Sequence, residues 1–224
     1  MSAPVTYSLA DGIATLRMDD GKANAMAPAM SAALNAGLDR AAAEGARAVV
    51  IRGRPGLLSG GFDLKIIRGE DEALKAKMRE DGMALLKRLY LSPLPIVFAV
   101  TGHAVAMGAL LLLAGDVRIG TEGDFRIGLN EVGIGLSLPI AGIELARDRL
   151  LPAELSRAVI NARLYRPDEA ASVGYLDQVA KPDAFDERVR QAAAGLADLD
   201  AAAFAETKRR LRQPTLDRIA ALGA

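Results

Sequence analysis

The chain has no cysteine and a single histidine, His103. The first absence excludes a disulfide framework and a thiolate nucleophile. The second leaves a multi-histidine metal site or a Ser-His-Asp triad only His103 to draw on, so no metal is expected. A charge surplus is missing as well: 28 Lys and Arg balance 28 Asp and Glu, and nothing draws the chain to nucleic acid or to an anionic membrane. The first residues, MSAPVTYSLADG, lack the basic start and apolar run of a secretory signal, so a cytoplasmic protein is expected. What the chain does have is size, since 224 residues suffice for one large core with a small appendage.

The most apolar stretch, Ile96 to Ala114, approaches the length of a bilayer span. Its punctuation argues against one. Pro93 and Pro95 precede a β-rich IVFAV, TGH breaks it, and only then does the helix-favouring AMGALLLLA begin. A strand, a turn and a buried helix are expected, and no membrane segment.

Elsewhere the punctuation is that of an α/β chain. VTYSLADGIATLRMD reads as two alternating strands around an Asp-Gly turn. Pro28 suits the first turn of a helix that Gly45 stops, and ARAVVIRG reads as a buried strand. RPGLLSGGFDLK reads as a glycine-rich turn, and residues 70 to 91 as an amphipathic helix with Leu74, Met78, Leu85 and Leu89 inward. Strand, glycine turn and helix recur, the rhythm of a mainly parallel sheet. From about residue 140 the pattern is helical except for a short strand in YLDQVA, and the helical tail is expected to pack on a neighbouring subunit as well as on its own domain.

In LLSGGFDLK and HAVAMGAL a strand passes through small residues into a helix start, which leaves backbone N–H groups unpaired. Two such turns can trap an oxyanion, each donor being worth about 2.7 to 4 kcal/mol as charge develops. Glycines that serve only tight turns and close packing would give the same spacing, and the spacing alone does not decide between the two.

Four segments in order resemble the blocks of one family. SGGFDLK resembles its SAGxDLK loop, and LPIVFAVTGHAVAMGALLLLAGDVRI its KPxIAAVxGxAxGGGxExAxxCDxRI block. FRIGLNEVGIGLSLP resembles FGLPEVxLGLxP, and PDEAASVGYLDQV resembles AxEAxxxGLVDxV. The chain is thereby identified as a member of the crotonase superfamily, the enoyl-CoA hydratases and isomerases. The resemblance implies an α/β fold, a spiral of ββα turns over residues 1–150 carrying an acyl-CoA site, and a helical C-terminal trimerisation region over 151–224. It further implies an acyl-CoA thioester substrate, no cofactor beyond the substrate's own coenzyme A, and a homotrimer or dimer of trimers.

Carried over residue by residue, the oxyanion donors become the N–H groups of Phe62 and Met107, at positions where many members have alanine and glycine. The loop Gly60, Gly61, Phe62, Asp63, Leu64 and Lys65 resembles the substrate-binding loop, with Lys65 on the coenzyme A path. The segment Lys22 to Ala25, with Asn24, resembles the one that meets the adenine. Leu110 stands at the position of the first catalytic glutamate of the hydratases, and Glu131 matches the second. One carboxylate beside an oxyanion hole suffices to shuttle a proton between two carbons. An apolar residue at the first site with GLNE at the second therefore resembles the isomerases that convert 3-enoyl-CoA to 2-enoyl-CoA. The alternatives are another acyl-CoA reaction on the same fold (hydration, thioester hydrolysis or decarboxylation) or a non-catalytic acyl-CoA binding protein.

The residues themselves suggest that Val132, Ile134, Leu136 and the LLLL helix surround Glu131 with apolar atoms and raise its pKa. Asp63 and Asp116 are adequate as a cap and a turn anchor. His103 receives no role, and Arg52 and Arg54 are either phosphate-facing or simply solvated.

Overall fold

The computed structural model describes residues 3–222. Strands β1 (Val5–Ala10) and β2 (Ile13–Met18) form the expected hairpin, with Val5 opposite Met18 and Ala10 opposite Ile13. Asp11 and Gly12 turn the chain at φ of 52° and 76°. Two positive φ values in a two-residue loop match the right-handed twist of the flanking strands. Along β2, Ala14, Leu16 and Met18 point into the core. Helix α1 (Pro28–Ala43) starts on Pro28, whose missing N–H is unneeded at a first helical position, and it ends before Gly45 at φ +71°.

Strands β3 (Ala48–Arg52), β5 (Ile96–Val100), β7 (Val117–Thr121) and β9 (Gln178–Ala180) extend β2 in parallel, giving the order β1-β2-β3-β5-β7-β9. Every residue of β5 is buried, because helices cover both faces of this sheet. On one face α8 (Phe185–Ala197) lays Phe185, Val189 and Ala193 against Val50, Val97, Ala99 and Ile119. The other face carries the larger core, filled by α1, α3 (Glu72–Tyr90) and the wholly buried α4 (Met107–Ala114). Among the described residues no helix is long and apolar enough to cross a membrane.

A second, three-stranded parallel sheet lies where the sequence pattern suggested only turns. It consists of β4 (Gly56–Ser59), β6 (Gly102–Val105) and β8 (Ile127–Gly128). Its strands are short, and glycine hides them from propensity. A Cβ on Gly102 would lie 1.9 Å from the Gly56 carbonyl carbon, and one on Gly53 would lie 2.1 Å from the Leu57 oxygen. Those glycines mark backbones pressed together rather than loops. Leu74 is a second correction, being 38% exposed. Helix α3 begins at Glu72 under an Asp71 cap, and its residues are buried only from Met78 onward.

The chain closes with α5 (Ile140–Arg149), α6 (Leu155–Val159), α7 (Pro167–Val173), β9, α8 and α9 (Ala201–Leu222). Residues beyond 150 contribute β9 to the sheet and Tyr165, Val173, Tyr175 and Leu176 to the main core. Helix α9 is pinned to the C-terminal ends of α3 and α4: Arg212 donates to the Tyr90 and Gly115 oxygens at 2.6 and 3.0 Å. Cations there complement both helix dipoles. Asp116 ties the same point, accepting from Ile96 N at 2.8 Å and pairing with Lys208 at 2.7 Å and Arg212 at 2.9 Å. Its role is that of an anchor. Burial pushes the Lys208 amine down to about 8 despite that partner.

Candidate functional site

Two turns meet at the centre of the molecule. The first follows β4, where Gly61 adopts φ +94°, and the second joins β6 to α4. A Cβ on Gly61 would stand 2.9 Å from the Ala106 Cβ, 3.2 Å from the Val105 oxygen and 3.4 Å from the Met107 nitrogen. Only glycine lets the turns approach this closely. The N–H groups of Phe62 and Met107 belong one to each turn, and neither donates to an oxygen among the described residues. Met107 N is also the first amide of α4, where the dipole favours negative charge.

The second turn is strained. Ala106 sits at φ 51°, ψ −124°, a conformation that glycine adopts far more easily, and this ψ sets the direction of the Met107 N–H. Ala106→Gly is expected to stabilise the protein by about 1 kcal/mol after the entropic cost of glycine. A chain of this length should then melt ~2–4 °C higher. Calorimetry of the two proteins checks this, and a lower melting temperature would contradict the strain.

The segment Lys22–Ala25 is drawn to the first turn by Gly60 N donating to Ala23 O and Met26 N to Gly61 O, at 2.9 and 2.8 Å. Within it Asn24 is fully buried at φ +46°. Its Nδ2 donates to the Met18 and Leu58 oxygens, its Oδ1 accepts from Asp20 N, and its own carbonyl accepts from Ser59 Oγ. The Asn24 side chain thus shapes the loop and offers no group to a ligand, contrary to the expectation that it touches substrate. Lys22 is exposed and Ala25 half-buried. Asp63 caps α2 (Leu64–Arg68), accepting from Lys65 N at 2.8 Å, while Leu64 and Lys65 are exposed.

Glu131 follows β8 and opens a single turn of 3-10 helix. It is 9% exposed and its Oε2 has no partner. Burial raises its pKa above the ordinary value, opposed only by its own and the Asn130 backbone amides. The apolar groups around it are Leu110, Leu136, Phe62 and Ile67. Val132 and Ile134, expected among them, are each 49% exposed, because the tight turn swings them outward. Ile134 reaches only the edge of a neighbouring hollow.

Two cavities join at Glu131, sharing Phe62, Ile67, Glu131 and Leu136. The smaller, of roughly 110 Å³, carries Gly60, Phe62, Ala106 and Asn130, and so borders both turns. The larger, of roughly 250 Å³, is walled by Met78, Arg79, Met83, Leu110, Ser137 and Pro139. The bulk of Phe62 is accommodated across the site by Gly82 in α3, where a Cβ would lie 2.6 Å from the ring. Sequence reasoning missed Asn130, Arg79, Met83, Ser137 and Pro139. One signal was available: a glycine inside an otherwise helical run marks a close approach.

The remaining candidates are structural. His103 Nδ1 accepts from Arg126 N at 3.0 Å, and the imidazole packs edge-on to Phe125. Arg52 pairs with Asp186 at 3.0 Å, and Arg54 donates to the Lys22 oxygen. No cluster of three or more potential metal ligands occurs among the described residues.

A mainly parallel six-stranded sheet and a parallel three-stranded one, built from successive ββα turns and closed by C-terminal helices, define a crotonase-fold α/β protein. The chain belongs to the enoyl-CoA hydratase/isomerase family, whose sequence pattern matches residues 8–221, and is an acyl-CoA enzyme of that family. It is similar to an enoyl-CoA hydratase/isomerase family protein from Pseudomonas syringae, with TM-score 0.93 and 43% identity over 97% of this chain and 94% of that one. It is 32% identical to a "Probable enoyl-CoA hydratase" of Rhodobacter capsulatus over 92% of this chain and 79% of that protein. It is 30% identical to the mitochondrial "Enoyl-CoA delta isomerase 1" of Rattus norvegicus over 74% of this chain, a match spanning 58% of the rat protein.

Proposed function

We propose that the protein shifts the double bond of a 3-enoyl-CoA to the 2 position. The observation that carries this reading is the presence of Glu131 and Leu110 on one cavity: a single buried carboxylate, its Oε2 without a partner, shares a largely apolar lining. Glu131 removes a proton from C2 and the C–H electron pair moves into the thioester, forming an enolate. The Phe62 and Met107 N–H groups hold the oxygen that gains the charge. The proton returns from Glu131 to C4, the enolate collapses, and the double bond lies between C2 and C3. The raised pKa of Glu131 suits a group that must both take and give a proton.

A similarity to the rat isomerase supports this reading, and the one to the Rhodobacter protein supports hydration as the second. Incubation with 3-hexenoyl-CoA and with 2-hexenoyl-CoA, followed by chromatography of the thioesters, separates them. The expected result is conversion of the first to the 2-enoyl isomer with little 3-hydroxyacyl-CoA from the second. Faster hydration than isomerisation would overturn the reading. We also propose a homotrimer, since Leu151, Ile160, Leu199 and Leu211 in the C-terminal region are all more than half exposed.

A further inference from the structure

The larger cavity beside Glu131 is apolar except for Arg79 and Ser137. Arg79 lies on α3 in the row that also turns Met78, Gly82 and Met83 toward the site. Neighbouring cations on this helix are matched: Lys75 pairs with Glu72 at 2.6 Å, and Lys77 with Asp81 at 3.0 Å. Arg79 has neither an ion pair nor a hydrogen bond among the described residues. It is absent from the smaller cavity that borders both turns. One cavity thus brings together a buried acid, Glu131, apolar walls that include Leu110 and Met83, and an unmatched positive charge on Arg79.

We propose that the acyl group taken by this site ends in a carboxylate, which pairs with Arg79. The inference rests on the acyl-CoA reading given above and specifies its substrate class. A guanidinium binds a carboxylate through two parallel N–H···O bonds, a geometry that an alkyl terminus cannot use. Arg79 is exposed, so solvent screens the pair and the preference is modest, about fivefold rather than a thousandfold.

The test compares 3-hexenoyl-CoA with the mono-CoA thioester of 3-hexenedioic acid on the wild type, Arg79→Met and Arg79→Glu. In the wild type kcat/KM should favour the carboxylated substrate by about fivefold, equivalent to about 1 kcal/mol. The ratio should fall to about one in Arg79→Met and invert in Arg79→Glu, in the manner of a removed or reversed charge. A wild-type ratio near one, or a ratio unmoved by Arg79→Met, overturns the proposal. Calorimetric affinities of the saturated adipyl-CoA and hexanoyl-CoA provide an arm that needs no turnover. A carboxylate preference there that is lost in Arg79→Met, with neither 3-enoyl thioester reacting, upholds Arg79 and rejects the isomerase reading alone.

Discussion

Glu131→Gln is expected to lower 3-enoyl-CoA isomerisation at least ~100-fold while the fold and acyl-CoA binding survive, since loss of a general acid–base group costs ~10²–10⁴ in rate. Glutamine fills the same volume but neither accepts nor returns the proton. Stability separates this outcome from simple damage. Burial raises the pKa of Glu131 above its ordinary value of 4.5, so the folded chain holds that proton more tightly than the unfolded chain. The resulting stabilisation is fully present below 4.5 and is lost as pH rises through the higher folded value. The variant, which has no such titration, should therefore melt no lower than the wild type at pH 7, and its relative advantage should shrink toward pH 4.5. Wild-type activity should also fall on the acid side at a pH above 4.5, where the base becomes protonated. Turnover of the variant within a few-fold of wild type would remove Glu131 from the chemistry.

The parts of this picture that were legible in the sequence are those written in strong local chemistry. Asp11-Gly12, Pro28 and Gly45 each answer a backbone demand that few other residues meet, and each marks its boundary correctly. The unbroken apolar runs of β3 and β5 announce a sheet covered on both faces. The second sheet was hidden because Gly53 and Gly102, which permit its backbones to touch, carry the signature of a turn. At the site, the positions of Phe62, Met107, Leu110 and Glu131 were readable from four ordered blocks. The side chains that shape the cavity were not. Arg79 and Met83 come from α3, some twenty residues after the Phe62 loop, and only tertiary packing brings them to the cavity that Glu131 also lines. Asn24 errs in the opposite direction. A polar residue in a ligand-facing segment reads as a contact, but its positive φ and buried carboxamide make it the segment's internal brace.

Leu110→Glu is expected to produce a destabilised protein with weaker isomerase activity and a small but measurable gain in hydration. Leu110 is 1% exposed and shares its cavity with Glu131. Its Cδ2 packs where Gly142 of α5 leaves room, 3.2 Å from the point a Cβ would occupy there. A carboxylate in that buried wall leaves water, with only the exposed Arg79 as a cation on the same cavity, and its effective desolvation penalty is several kcal/mol. The two acids will also raise each other's pKa, so at neutral pH the pair will share protons and titrate as a unit. A loss of ~3 kcal/mol corresponds to a melting temperature ~6–12 °C lower for a chain of this size. Isomerisation falls because a partly protonated Glu131 is a poorer base. Hydration rises because a second carboxylate can orient a water that Leu110 excludes, while Glu131 supplies the other proton transfer. Leu110→Gln is the control: it brings a polar group of the same size into the wall but no base, so it should lose stability without gaining hydratase activity. Equal hydration by the two variants would mean that polarity alone admits the water. A wild-type protein already hydrating 2-enoyl-CoA as fast as it isomerises 3-enoyl-CoA would mean that Leu110 excludes no water, and that another group in the Glu131 cavity holds it.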